Sequence, residues 1–66
     1  MAEVEDAREA EDMVRSLYSP LVSFSDFETH KQGYTWIVTY KVVSVRDIER
    51  HEVRINARTG NMVTIR

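Results

Sequence analysis

His51-Glu52-Val53-Arg54-Ile55-Asn56-Ala57 alternates inward-type and polar residues, and Met62-Val63-Thr64-Ile65 resumes an extended pattern a few residues later. Between them lie Arg58, Thr59, Gly60 and Asn61. Two such runs around a glycine-containing turn call for a β-hairpin, because only an extended strand puts every second side chain on one face. Gly60 can take a positive φ at little cost, and the Asn56 side chain can bond turn amides. A chain closed in this way is committed to an antiparallel sheet with one apolar face, and that face needs a cover. In the strand read over residues 50–57, His51, Val53, Ile55 and Ala57 point inward, and Arg50, Glu52, Arg54 and Asn56 outward. Val63 and Ile65 are expected to point inward from the last strand.

The strongest strand signal runs from Tyr34 to Val45, where β-branched and aromatic residues dominate. Tyr34, Trp36, Val38, Tyr40 and Val42 share one face, and Thr35, Ile37, Thr39, Lys41, Val43 and Val45 the other. The first set is larger and more apolar, so it is expected to meet the cover. Arg46-Asp47-Ile48-Glu49 reads as the connection to the next strand. Upstream, His30-Lys31-Gln32-Gly33 reads as a turn. Residues 21–29 alternate less cleanly, since Phe27 breaks the parity of Val22 and Phe24. This is a strand with a bulge, or an irregular entry into one.

The cover comes from the amino-terminal end. Val4, Ala7, Ala10, Val14 and Leu17 recur at helical spacing over residues 2 to about 18, with Met13 and Tyr18 beside the stripe. Acidic residues crowd the first turns, where the helix dipole favours them. Glu11 and Arg15 stand four apart in the favourable order. Ser19-Pro20 ends the helix, because proline disfavours helical φ and ψ in the residue before it. The expected fold is α+β: a two-layer sandwich with one amino-terminal helix packed on a three- to four-stranded antiparallel sheet, forming a single domain over residues 1–66.

Size limits what this fold can do. A 66-residue chain buries only about 60% of the surface its unfolded form exposes. It has no cysteine, so neither a disulfide nor a thiolate is available. One core must suffice, or a partner surface must add to it, which keeps self-association among the readings. Met1 is followed by acidic residues rather than a basic region and an apolar run, and no apolar stretch approaches membrane-spanning length. A cytoplasmic protein away from the membrane is expected.

Charge is unevenly placed. Residues 1–33 carry eight acidic and three basic side chains, and residues 34–66 carry six basic and three acidic ones. Opposite signs at the helix end and the sheet end describe two solvated faces.

The residues from Tyr34 to Ile65 resemble the PepSY domain, a small helix-plus-antiparallel-sheet module. Trp36-Ile37-Val38-Thr39-Tyr40 is similar to its aromatic-x-Val-x strand. His51 to Val63 is similar to its Tyr-x-Val-x-Val-Asp-Ala-x-Thr-Gly-x-Val signature. His51 stands for the usual aromatic and Asn56 for the usual aspartate. Asparagine keeps the oxygen that caps the turn, so the turn is expected to survive. The resemblance implies a non-catalytic module that inhibits or regulates peptidases or binds a partner locally, in a family associated with propeptides of secreted metallopeptidases and with cell-envelope proteins.

Chemistry-bearing arrangements are scarce. His51 and Glu52 point to opposite faces of a strand, so they cannot share a metal ion without distortion. His51 reads instead as a half-buried core histidine, and His30 as a solvated one. The serines lie in no nucleophile motif. A phosphate loop needs glycines, and the chain has two, Gly33 and Gly60. No catalytic residue, metal ligand or cofactor is assigned, and an enzyme is not expected.

Two binding readings remain. Arg50, Arg54, Arg66 and Lys41 on an outer sheet face are the footprint of single-stranded nucleic-acid binding, but the aromatic residues such a surface needs are assigned to the core. The outer face also carries Ile37, Val43 and Val45. Apolar residues beside arginines match the composition of a protein interface. A contact surface built from Ile37, Val43 and Val45, rimmed by Lys41 and Arg54, therefore ranks first. Its partner is another protein or a second copy, and nucleic acid is the alternative.

Overall fold

The structure, a computed structural model, describes residues 3–65. One helix, α1 (Ala7–Arg15), precedes four strands: β1 (Ser23–Gln32), β2 (Thr35–Val43), β3 (Ile48–Asn56) and β4 (Met62–Thr64). The strands form one antiparallel meander in the order β1-β2-β3-β4. The helix packs over β1 and β2. This is the expected α+β sandwich, with four strands.

The helix is shorter than its apolar stripe. Asp6 is the N-cap, and its carboxylate accepts from the Glu9 amide at 2.8 Å. Glu9 reaches back to accept from the Glu5 amide at 2.7 Å. These two bonds satisfy amides that no helical carbonyl can reach. Val4 is therefore outside the helix, in an extended segment whose amide donates to the Ala57 carbonyl at 2.8 Å. It is still buried, and its own carbonyl accepts from Trp36 Nε1 at 2.9 Å. At the other end Ser16 caps the helix, and the Leu17 and Tyr18 amides donate three residues back to Val14 and Arg15. Leu17 leaves the stripe and is half exposed. Arg15 pairs with Asp12 at 3.6 Å rather than with Glu11. Glu11 turns to the sheet and accepts from Thr29 Oγ1 at 2.7 Å.

Ala10, Val14, Val38, Tyr40, Val53 and Ile55 form the centre of the core, with Val4, Trp36 and Ala57 around them. Inward alternation along β2 and β3 therefore holds for Trp36, Val38, Tyr40, Val53, Ile55 and Ala57, while Val42 is half-buried against the core. Tyr34 is the exception. It lies in the β1–β2 turn, largely exposed, with the Arg58 guanidinium 4.4 Å from its ring centre. The turn itself is tighter than the sequence suggests. His30, Lys31 and Gln32 belong to β1, and Gln32 pairs with Thr35, leaving only Gly33 and Tyr34 between strands. Gly33 has φ of 63°, the positive value a two-residue hairpin asks of its first position in a II′ turn.

The parity break at Phe27 is a bulge. Ser25 pairs with Lys41 and Glu28 with Thr39, so Asp26 and Phe27 together oppose Tyr40. Asp26 adopts φ of 54°, the left-handed region that Asp tolerates better than most residues. The extra residue resets the phase of β1. Phe24 and Phe27 both reach the inner face, where with Tyr18, Tyr40 and His51 they make an aromatic cluster with ring centres 5.1–6.0 Å apart.

The last strand has the opposite sidedness from the one expected. The Asn56 amide donates to the Asn61 carbonyl, closing a four-residue loop over 57–60 with Gly60 at φ of 80°. Ile55 then pairs with Met62 and Arg54 with Val63. Residues directly opposite share a face, so Met62 packs against the core while Val63 points outward and is exposed. Ile65 is exposed as well. Asn56 caps its loop as expected, accepting from the Arg58 and Thr59 amides at 2.8 and 3.1 Å.

Candidate functional site: the outer sheet face

A single short helix covers one face of the sheet. The other face meets solvent, and pairing register assigns its residues row by row. At the Gly33 end come the polar Gln32, Thr35 and Asn56, and after them His30, Ile37, Arg54 and Val63. Next come Glu28, Thr39 and Glu52, with Ile65 tied to the Glu52 carbonyl by its amide at 2.7 Å. Then come Ser25, Lys41 and Arg50, and finally Ser23, Val43 and Ile48.

Of the residues assigned from sequence, Ile37, Lys41, Val43 and Arg54 lie on this face. Ile37 contributes little area of its own, being only 8% exposed between its cross-strand neighbours His30 and Arg54. Val43 ends β2 and is 37% exposed. Val45 is not on the sheet. β2 stops at Val43, and Val45 and Arg46 form the tip of a loop whose ends are tied by the Ser44 amide donating to the Asp47 carbonyl at 2.9 Å. Ser44 Oγ also donates to that carbonyl and accepts from the Asp47 amide, both at 3.1 Å. Val45 is fully exposed there. Ile48 and Glu49, read from sequence as connection, belong to β3.

The two cations of the rim are already engaged. Lys41 Nζ lies 3.0 Å from Asp26 on the bulge, and Arg54 Nε donates to Glu52 at 2.8 Å. Both pairs are partly exposed, so they order the side chains more than they stabilise the fold.

Sequence reasoning missed Ile48 and Val63, which are 64% and 58% exposed on this face. Ile48 was hidden by the loop assignment, and Val63 by the parity of β4. An open depression of about 390 Å³ lies beside β4, lined by Thr35, Arg54, Asn56, Asn61, Val63 and Ile65. Another of about 420 Å³ lies at the β2–β3 loop, lined by Val43, Val45, Arg46 and Ile48 among others.

Tyr18 and Tyr40 share a hydroxyl–hydroxyl hydrogen bond of 2.6 Å. Burial, and then that bond, hold the Tyr40 phenol well above its ordinary pKa. His51 is half-buried on the inner face, stacked 5.8 Å from Tyr40 with Nε2 3.3 Å from Glu49. His30 lies on β1 and is exposed. Among the described residues no three His, Asp or Glu side chains converge in a metal-binding group. Among them, too, no helix is long and apolar enough to cross a membrane.

No family model, no curated protein and no solved structure matches this chain.

Proposed function

We propose that this protein is a non-catalytic interaction module that binds a protein partner through the outer face of its sheet. The observation that carries this reading is the exposure of Val43, Ile48 and Val63 on a face that also bears Lys41, Arg50 and Arg54. Apolar residues interleaved with arginine are what protein interfaces enrich. A lone helix leaves that face without a cover of its own.

The resemblance to the PepSY domain supports the same class of function and narrows it to local binding or regulation of a peptidase, for which titration against a panel of metallopeptidases is the direct assay. A cytoplasmic setting belongs to the same proposal. Single-stranded nucleic acid ranks second. Trp36 and Tyr40 are buried on the inner face, where they cannot stack on bases, and Lys41 and Arg54 are already paired with carboxylates.

A photo-crosslinking side chain at Ile48, compared with one at the exposed helix residue Arg8, tests the proposal. Adducts concentrated at Ile48 are the expected result. Equal yields at the two positions contradict it.

A further inference from the structure

One cross-strand pair on the outer face sets like charge against like. Lys41 on β2 and Arg50 on β3 stand directly opposite each other, a placement in which equal charges repel. Lys41 is drawn aside to Asp26, with Nζ 3.0 Å from its carboxylate. Arg50 has no such outlet. Glu52 lies two positions from Arg50 and two from Arg54 along β3, and it accepts from Arg54 Nε at 2.8 Å. Glu28 sits on β1, two strands away and about 9.6 Å across the sheet. Among the described residues Arg50 has no ion-pair partner. β4 pairs only with Val53, Arg54 and Ile55, so Arg50 stands exposed at the border of the sheet.

The next row toward the β2–β3 loop is apolar. Val43 and Ile48 are directly opposite each other and line the depression of about 420 Å³ together with Val45. Arg46 lines it too, but Asp47 beside it offsets its charge. Along β3 the basic and apolar rows are two residues apart, about 6.8 Å.

This arrangement deepens the reading that the face binds protein, on which it rests: we infer that the partner presents an extended acidic segment, with a carboxylate and an aliphatic side chain two positions apart. The carboxylate meets Arg50 and offsets its repulsion from Lys41, while the aliphatic side chain lies on Val43 and Ile48. An extended chain has the same two-residue spacing as the rows, so one segment running along β3 makes both contacts. Arginine takes a carboxylate bidentately, and the apolar contact beside the pair keeps water from it. Nucleic acid supplies negative charge as well, but these two rows carry no aromatic ring on which a base could stack.

NMR of the methyl groups and of the arginine Nε–H groups of the full chain, titrated with short blocked peptides, tests this. The probe peptide carries one glutamate and one leucine two positions apart in a threonine background. It is expected to shift the Val43, Ile48 and Arg50 signals with a Kd on the order of 1 mM. Replacing its glutamate by glutamine, or setting glutamate and leucine side by side, should weaken binding about tenfold. Arg50→Glu should lose the glutamate peptide and gain the one with lysine in its place. That variant also turns a cross-strand repulsion into an attraction, so its melting temperature should hold or rise. A lower melting temperature contradicts the repulsion on which the assignment rests. Equal binding of the probe and either control overturns the inference, as does no response up to about 10 mM peptide. Shifts of the same signals by oligothymidylate at lower concentration, or on concentrating the protein alone, overturn it in favour of nucleic acid or a second copy. Crosslinks concentrated at Ile48 with no peptide response strike the acidic partner and leave the wider binding role, which fails on equal yields at Ile48 and Arg8.

Discussion

Two side chains show how single residues set the terms of this fold. Tyr40 is buried and its hydroxyl is bonded to Tyr18. Its folded-state pKa is raised above the unfolded value, first by burial and then by that bond. The stabilisation is complete below the unfolded pKa of about 10 and is lost progressively as pH rises above it, because the unfolded chain then gives up a proton that the native state retains. Denaturant melts at increasing alkaline pH should show this decline, and Tyr40→Phe should flatten it. Asn56 holds two turn amides through one oxygen. Asn56→Ala should lower unfolding free energy by about 1 kcal/mol, while Asn56→Asp, which keeps the oxygen, should leave it nearly unchanged; urea melts of the two variants read the difference. The role of Asn56 was legible in the sequence, because an asparagine just before a glycine-containing turn has little else to do. The burial of Val4 was legible, but its reason was not. Apolar spacing placed it on a helix, whereas Asp6 and Glu9 close the helix off above it.

At the scale of elements, β1 and β4 separate what pattern can reveal from what geometry decides. The bulge in β1 left a trace, since Phe27 is apolar at a polar phase. Its cause, a left-handed Asp26, did not. Asp26→Gly removes the strain along with an exposed ion pair, and the two effects should nearly cancel. Asp26→Val forces a β-branched residue into the left-handed region and should destabilise by about 1–2 kcal/mol beyond that. Chemical denaturation of both variants tests the assignment. In β4 the more apolar pair, Val63 and Ile65, suggested the inward phase. The four-residue loop closed by Asn56 and Asn61 overrode it, because a one-residue change in register turns every side chain to the other face. The β2–β3 loop misled in a similar way. Arg46-Asp47 looks like turn chemistry, and Ile48 was swept into the turn with it, although the Ser44–Asp47 bonds close the loop just before Ile48.

The whole molecule has two unlike faces because it has one helix. Layer architecture and the sidedness of β2 and β3 were readable from alternation, whereas core membership was readable only in part, since Leu17, Tyr34, Val63 and Ile65 were expected inside and are exposed. The make-up of the outer face was only partly so, since it depends on register between strands, which no single strand encodes. Both sheet edges are protected against strand pairing, β1 by its bulge and charged residues and β4 by being three residues long. Val43→Glu should change melting by no more than about 0.5 kcal/mol while weakening any complex formed through the outer face. The central claim, that the helix shields one face and leaves the other open to a partner, is tested most directly by methyl NMR of dilute protein with a soluble paramagnetic agent. The account predicts strong broadening at Val43, Ile48 and Val63 and protection at Val38, Val53 and Ile55. Protection of the first set together with broadening of the second would contradict it.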